Sequence, residues 1–157
     1  MSVIIDGTAG ITFPSGSGTQ AAQSKVLQVV SATTLGSITS TSSTSFVTTG
    51  LTASITPLFS TSKILIIVNS ICSTALTSNY GSYTIYRNST NLGGINGFVL
   101  INNGGQDASL AMSYLDSPAS TSSTTYTTYI RVTNASQSVY LGDGNATSAI
   151  TLMEIAT

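Results

Sequence analysis

The sequence predicts an all-β protein: a single antiparallel β-sandwich or jelly-roll-like domain with an extended N-terminal arm. In segments such as "TYTTYIRV" (residues 125–132), alternate side chains fall on opposite faces, as expected for a strand. One face carries Tyr126, Thr128, Ile130 and Val132, and the other carries Thr127, Tyr129 and Arg131. Turn-forming clusters separate these segments at near-regular intervals, as in sandwiches. No segment of useful length has the 3.6-residue period of a helix, and we expect only a short helical turn at residues 20–24.

The position of each strand is predicted from the local order of apolar and polar residues. In "KILIIVNSI" (residues 63–71) five consecutive apolar residues are typical of a strand covered on both faces. In "GSYTIYRN" (81–88) Tyr83, Ile85 and Arg87 alternate with Ser82, Thr84 and Tyr86. The Ser/Thr run at 39–45 is expected to be a loop that leads into a strand near Ser45. The remaining strands are predicted at residues 25–33, 44–56 (with a break near Gly50), 95–102, 108–115, 125–133, 137–142 and 148–156.

The composition excludes several classes of function. Charged residues make up 6% of the chain, there is no histidine, and serine and threonine account for about a third of all residues. Four dispersed basic residues are too few for a nucleic-acid-binding face. The longest apolar run, residues 64–68, is far shorter than the ~20 residues of a membrane-spanning helix. We therefore expect no nucleic-acid and no membrane partner.

No pattern in the chain indicates catalysis or a cofactor. Without histidine, neither Ser-His-Asp nor Cys-His catalysis is available, and most zinc sites are excluded. The Gly-rich "GSGTQA" (16–21) lacks the flanking strand and helix of a dinucleotide site. Asp107 and Asp116 flank one predicted strand, but strand ends are ordinary places for solvated carboxylates rather than a glycosidase pair. The single Cys72 follows an apolar strand and is expected to be a buried thiol. We predict no catalytic residue, no metal site and no cofactor.

Carbohydrate binding without catalysis is an open alternative. Tyr80, Tyr83 and Tyr86 lie close together in the sequence, and exposed aromatic rings are common in sugar sites. However, Tyr83 and Tyr86 have opposite strand parity, so they are not expected to share one stacking platform. Packing in the core or at an interface is the favoured interpretation of these rings.

The last strand, "SAITLMEIA", indicates oligomerisation. Ile150 and Leu152 fall on one face, and Ala149, Met153 and Ile155 fall on the other. One apolar face can pack on the core of the domain, so the other requires a partner. Lysine and glutamate, which usually protect strand edges from pairing, are almost absent here. We therefore predict a homo-oligomer with Ala149, Met153 and Ile155 at its interface.

The first 24 residues carry a recognisable pattern. "DGTAGITFPSGSGTQAAQSKVLQVV" resembles a junction found in tail-fibre and virion-surface proteins of tailed bacteriophages, where "G-[IL]-T-F-P-[DS]-G-[ST]" leads into a β-rich domain. The segments "TSFVTTGLTASITPLFSTSKILIIVNS", "SYLDSPASTSSTTYTTYIRVTNAS" and "SAITLMEIAT" resemble small β domains of marine and freshwater phages. The resemblance implies an attachment arm at residues 1–24 and a β-sandwich domain at 25–157. Glycines would let the arm follow another protein's surface, with Ile4, Ile5, Ile11 and Phe13 as apolar anchors.

The resemblance also implies a function. Tail fibres usually place a shaft or β-helix between this junction and the tip, whereas here the junction leads directly into one domain. We therefore expect a non-enzymatic, homotrimeric capsid decoration (cement) protein that bridges and stabilises subunits of the major capsid protein. Its location would be the outer capsid surface of a virion assembled in the host cytoplasm. The alternative is a short tail fibre or receptor-binding tip whose partners are tail proteins and a host surface glycan.

Overall fold

The computed structural model describes residues 4–6, 10–12, 25–75, 80–135 and 137–157. Their regular structure is entirely β, and the part of the chain that is described has no helix long and apolar enough to cross a membrane. The strands are β1 (Ile4–Asp6), β2 (Gly10–Thr12), β3 (Val26–Leu35), β4 (Thr39–Thr41), β5 (Val47–Ile55), β6 (Lys63–Thr74), β7 (Gly81–Arg87), β8 (Thr90–Asn91), β9 (Val99–Ile101), β10 (Ala108–Asp116), β11 (Thr124–Val132), β12 (Val139–Leu141) and β13 (Thr147–Ile155).

The strands from β3 onward form two antiparallel sheets. The large sheet has the order β3-β13-β6-β12-β4, and β10 also pairs with β6. The small sheet has the order β5-β11-β7-β8, and β9 also pairs with β7. Strands β1 and β2 form a separate two-stranded sheet. The predicted all-β sandwich is confirmed.

The core lies between the two sheets and follows from the period-two pattern. Along β6, β11 and β13 every second residue is buried, because successive side chains point to opposite faces of a strand. Ile150 and Leu152 are fully buried, as the sequence predicts. The other large, fully buried side chains of the core are Leu51, Ile55, Ile64, Ile66, Val68, Tyr83, Ile85, Tyr126 and Ile130. Cys72 is buried among them, which confirms the expected buried thiol.

The structure corrects some strand boundaries. The Ser/Thr run at 39–45 contains a short strand, β4, which pairs with β12. The predicted strand 95–102 begins only at Val99, because the preceding residues form a loop between β8 and β9. The break near Gly50 is confirmed: the β5–β11 register shifts there and Gly50 has φ +79°, which is unfavourable for residues with a Cβ. The helical turn predicted at 20–24 lies outside the described residues.

The first and last residues of the sandwich domain meet at one end, which we call the basal end. The Ala156 amide donates to the carbonyl oxygen of Lys25 (2.8 Å). The Thr157 hydroxyl donates to the carbonyl oxygen of Thr61 (2.9 Å) in the loop at 56–62, which joins β5 to β6. The chain therefore enters the sandwich from residues 1–24 at the same end as that loop.

Candidate functional site

The arm predicted at residues 1–24 is described only in part. Ile4 and Ile5 lie in β1 and Ile11 lies in β2. The two strands pair with each other, with Ile4 opposite Thr12 and Ile5 opposite Ile11. Phe13 lies outside the described residues. The attachment role of these four residues stays a prediction.

The predicted interface residues of β13 lie on the outward face of the large sheet. Ala149, Met153 and Ile155 are each partly exposed, whereas their neighbours Ile150 and Leu152 are fully buried. This arrangement confirms the orientation of the last strand. Whether another subunit covers these residues stays a prediction.

The strand registers extend this outward face beyond β13. Met153 lies opposite Val29 on one side and Leu65 on the other, and Leu65 lies opposite Leu115. Val29 is 56% exposed and Leu115 is 48% exposed. We call these four side chains, Val29, Met153, Leu65 and Leu115, the apolar row. It crosses four adjacent strands and is the most apolar line that the registers create on this outward face.

The outward face of the small sheet is polar near the basal end. Near the basal end it carries paired hydroxyl groups: Thr52 Oγ1 lies 2.8 Å from Thr127 Oγ1, and Ser54 Oγ lies 2.7 Å from Thr125 Oγ1. These cross-strand pairs satisfy one another and leave a polar surface that water can solvate. The outward face of the large sheet also has such a pair, Ser31 with Thr151 (3.1 Å), so the apolar row is the feature that distinguishes that face.

An aromatic cluster covers another part of the small sheet. Tyr86 stacks on Tyr129 with ring centroids 4.0 Å apart, and Phe46 meets Tyr86 edge-on at 6.1 Å. The Arg131 guanidinium lies 5.1 Å from the centre of the Phe46 ring and donates to the carbonyl oxygens of Thr44 (3.1 Å) and Ile95 (2.6 Å). The cluster therefore fastens two loops to the sheet. Because both terminal guanidinium nitrogens of Arg131 are used in this way, we interpret the cluster as a structural contact rather than a sugar platform.

The prediction that Tyr83 and Tyr86 point to opposite faces of their strand is confirmed. Tyr83 is fully buried in the core, and its hydroxyl lies 3.2 Å from the Ser73 carbonyl oxygen and 3.1 Å from that of Tyr140. Tyr86 faces outward instead. The stacking partner of Tyr86 is Tyr129 on the neighbouring strand, which sequence parity alone could not identify because the pairing depends on register.

A shallow polar pocket lies at the end of the sandwich opposite the basal end. Its lining residues are Tyr80, Asn102, Asn103, Gly104 and Gln106. Tyr80 is 50% exposed. The Asn103 amide is engaged within the protein, since it accepts from the Thr74 amide and hydroxyl (both 2.9 Å) and donates to the carbonyl oxygens of Cys72 and Gln106. Its visible role is to hold the 102–106 loop against β6.

Asp107 and Asp116 are too far apart to form a catalytic pair. Asp107 and Asp116 lie at opposite ends of β10, roughly 30 Å apart at about 3.4 Å per residue, whereas a glycosidase pair is separated by less than about 10 Å. Asp116 is buried and accepts from Arg87 (2.8 and 3.0 Å) and from the Tyr126 hydroxyl (2.7 Å). This group links β10 of the large sheet to β7 and β11 of the small sheet. Among the described residues, no three His, Cys, Asp or Glu side chains are grouped to hold a metal ion.

A second buried carboxylate, Glu154, holds the basal end together. It is fully buried on the inward face of β13. One oxygen accepts from the amides of Leu58 (2.8 Å) and Phe59 (3.4 Å), and the other accepts from Gln28 Nε2 (2.6 Å). Burial opposes its charged form, but these hydrogen bonds outweigh burial and lower the pKa of Glu154 below its ordinary value. A charged Glu154 thus fixes the backbone of the 56–62 loop.

Two further buried groups, Cys72 and Tyr126, have raised pKa values. Burial raises the pKa of the Cys72 thiol to about 11. The thiol is therefore neutral near pH 7 and a poor nucleophile. Burial, followed by the hydrogen bond to Asp116, also raises the pKa of Tyr126. These groups contribute to packing rather than to a reactive centre.

Comparison with known proteins gives a likeness to solved structures but no match to a protein family or a curated protein. Among solved structures, the chain is similar to the VP2 subviral particle of infectious bursal disease virus, with 14% sequence identity and a TM-score of 0.44. The likeness covers 83% of this chain and 38% of that chain, so the chain spans less than two fifths of the length of its match. The fold assignment rests on the two sheets described above.

Proposed function

We propose that the chain is a non-enzymatic structural protein on the outer capsid surface of a bacteriophage virion. In this proposal it is a trimeric decoration protein whose arm engages subunits of the major capsid protein. Each trimer would present three arms, so individually weak contacts would combine through avidity. The virion would be assembled in the host cytoplasm.

The observation that carries the proposal is the apolar row on the outward face of the large sheet. In a monomeric domain this row of four apolar side chains would face water, with Val29 56% and Leu115 48% exposed, which is unfavourable. Contiguous exposed apolar surface of this kind marks a protein–protein contact. Ala149, Met153 and Ile155 lie on this same face, and we propose that it is the contact between subunits of the trimer.

The resemblance of the N-terminal segment to phage junctions supports the attachment role of the arm. With few charges in the chain, binding to the capsid would depend on apolar anchors rather than ion pairs. It should then respond weakly to salt, because screening acts on charges.

A tail location is the second candidate, and one observation favours it. Tyr80 is half exposed at the polar pocket, at the end of the domain far from Lys25, where residues 1–24 join it. In a short tail fibre, that end would face the host and its surface glycan, while the arm would join tail proteins.

The number of copies on the purified virion separates the two candidates. Quantitative mass spectrometry against the major capsid protein gives this number. Hundreds of copies are expected for a decoration protein, and a handful would assign the chain to the tail. Absence from the purified particle would contradict both candidates.

A further inference from the structure

The loop at 56–62 presents two large apolar side chains to solvent. Leu58 is 60% exposed and Phe59 is 57% exposed, although the preceding Pro57 is buried. Adjacent exposed leucine and phenylalanine side chains on a loop are unfavourable in water unless something covers them. We call this pair the basal tip.

The loop is held in place from beneath by a buried charge. Glu154 accepts hydrogen bonds from the backbone amides of both tip residues, and the Ser62 amide donates to the Phe59 carbonyl oxygen (3.1 Å) to close the turn. A buried carboxylate carries a desolvation cost, which these hydrogen bonds offset. The result is a tip whose backbone is already ordered, so it would lose little conformational entropy on binding.

The position of the tip indicates its partner. The Thr61 carbonyl oxygen of the same loop binds the C-terminal Thr157, and the neighbouring Ala156 binds Lys25, where residues 1–24 join the domain. The Gln28 amide that binds Glu154 also donates to the Thr56 carbonyl oxygen (2.7 Å) at the start of the loop. The tip and the root of the arm therefore share the basal end.

We propose that Leu58 and Phe59 form a second, apolar contact with the coat subunit that the arm engages. This inference rests on the function proposed above. The arm would tether the domain, and the basal tip would seat it in an apolar depression of the coat protein. A coat subunit fits better than a second copy of this chain, because the apolar row, the proposed contact between copies, lies on the outward face of the large sheet, whereas the tip lies near Lys25, where the proposed arm joins the domain.

The test compares two variants in binding to undecorated heads. Leu58→Ser combined with Phe59→Ser removes the apolar tip. Ile95→Ser removes an apolar side chain that is 81% exposed in a different loop, between β8 and β9, and serves as the matched control. In co-sedimentation, the double variant should bind at least about tenfold more weakly, as expected when two large apolar side chains no longer become buried. The control should bind like the wild-type protein.

A second measurement is independent of affinity. A benzophenone side chain introduced at position 59 should cross-link to the coat protein on irradiation of decorated heads, whereas the same group at position 95 should not. Unchanged binding of the double variant, no coat cross-link from position 59, or a cross-link to another copy of this chain would each overturn the inference. If the wild-type protein itself does not bind heads, the proposed function fails instead.

Discussion

Met153→Asp is expected to break the contact between subunits and leave each domain folded. Met153 lies in the middle of the apolar row, between Val29 and Leu65, and faces away from the core. In the isolated domain an aspartate there is partly solvated but loses the burial that the domain itself gives Met153, so the free energy of unfolding should fall by about 1–2 kcal/mol.

The effect on assembly follows from the exposure of the row. Complete burial of one such side chain contributes about 1.5–3 kcal/mol. Since these residues are already partly buried in the domain, about 1 kcal/mol each is left for a subunit contact, or about 4 kcal/mol for the four. Aspartate removes the contribution of Met153 to the subunit contact, about 1 kcal/mol. It also places a charge without a partner in that contact, which costs a few kcal/mol more. A total of about 3 kcal/mol corresponds to association at least about a hundredfold weaker.

The assay is light scattering coupled to size exclusion at micromolar concentration. The wild-type protein should elute as a trimer, and Met153→Asp should elute as a folded monomer or aggregate through its exposed surface. Ser54→Asp is the control, because it places the same charge on the exposed, hydroxyl-lined face of the small sheet and should leave the trimer intact. A monomeric wild-type protein, or a trimer that Met153→Asp does not affect, would refute the reasoning.

Three further predictions concern the arm and the two buried carboxylates. Deletion of residues 1–24 should leave a folded trimer that no longer co-sediments with undecorated heads; full binding would contradict the arm's role. Arg87→Met should lower the unfolding free energy by about 3 kcal/mol and the melting temperature by about 6–12 °C, because the buried Asp116 loses its counter-ion; a loss below about 1 kcal/mol in urea denaturation would contradict this. Since the folded pKa of Glu154 lies below the ordinary 4.5, its contribution to stability is complete above pH 4.5 and is lost as the pH falls through the folded value. The urea midpoint should therefore fall less on acidification in Glu154→Gln than in the wild-type protein. If the midpoints of the two proteins fall in parallel with pH, a charged Glu154 does not stabilise the fold.

Alternation along the chain was sufficient to predict much of the fold. A strand with two chemically distinct faces needs only local sequence, which is why the long strands and the burial of Ile150 and Leu152 could be predicted. The short strands β4 and β8 could not, because two or three residues carry no period and their pairing depends on neighbours distant in the sequence.

The candidate contact surfaces could be identified only once the register of the strands in the sheets was known. Met153 could be placed on the outward face of β13, but Val29, Leu65 and Leu115 join it only through pairings with three other strands. Similarly, alternation puts Glu154 on the same side as Leu152, but the loop amides that it binds lie about a hundred residues earlier in the chain. Long-range hydrogen bonds of this kind leave no local pattern in the sequence.

Thermal release of DNA from heads with and without the protein tests the central proposal most directly. A ligand that binds only the closed junction between coat subunits stabilises that junction by mass action. Decorated heads should therefore retain DNA to a higher temperature than heads that lack the protein. Heads decorated with a variant carrying Ile11→Ser and Phe13→Ser should release DNA earlier, while the isolated trimer melts as before. If undecorated heads hold their DNA through the same heating as decorated ones, the capsid-stabilising function is wrong.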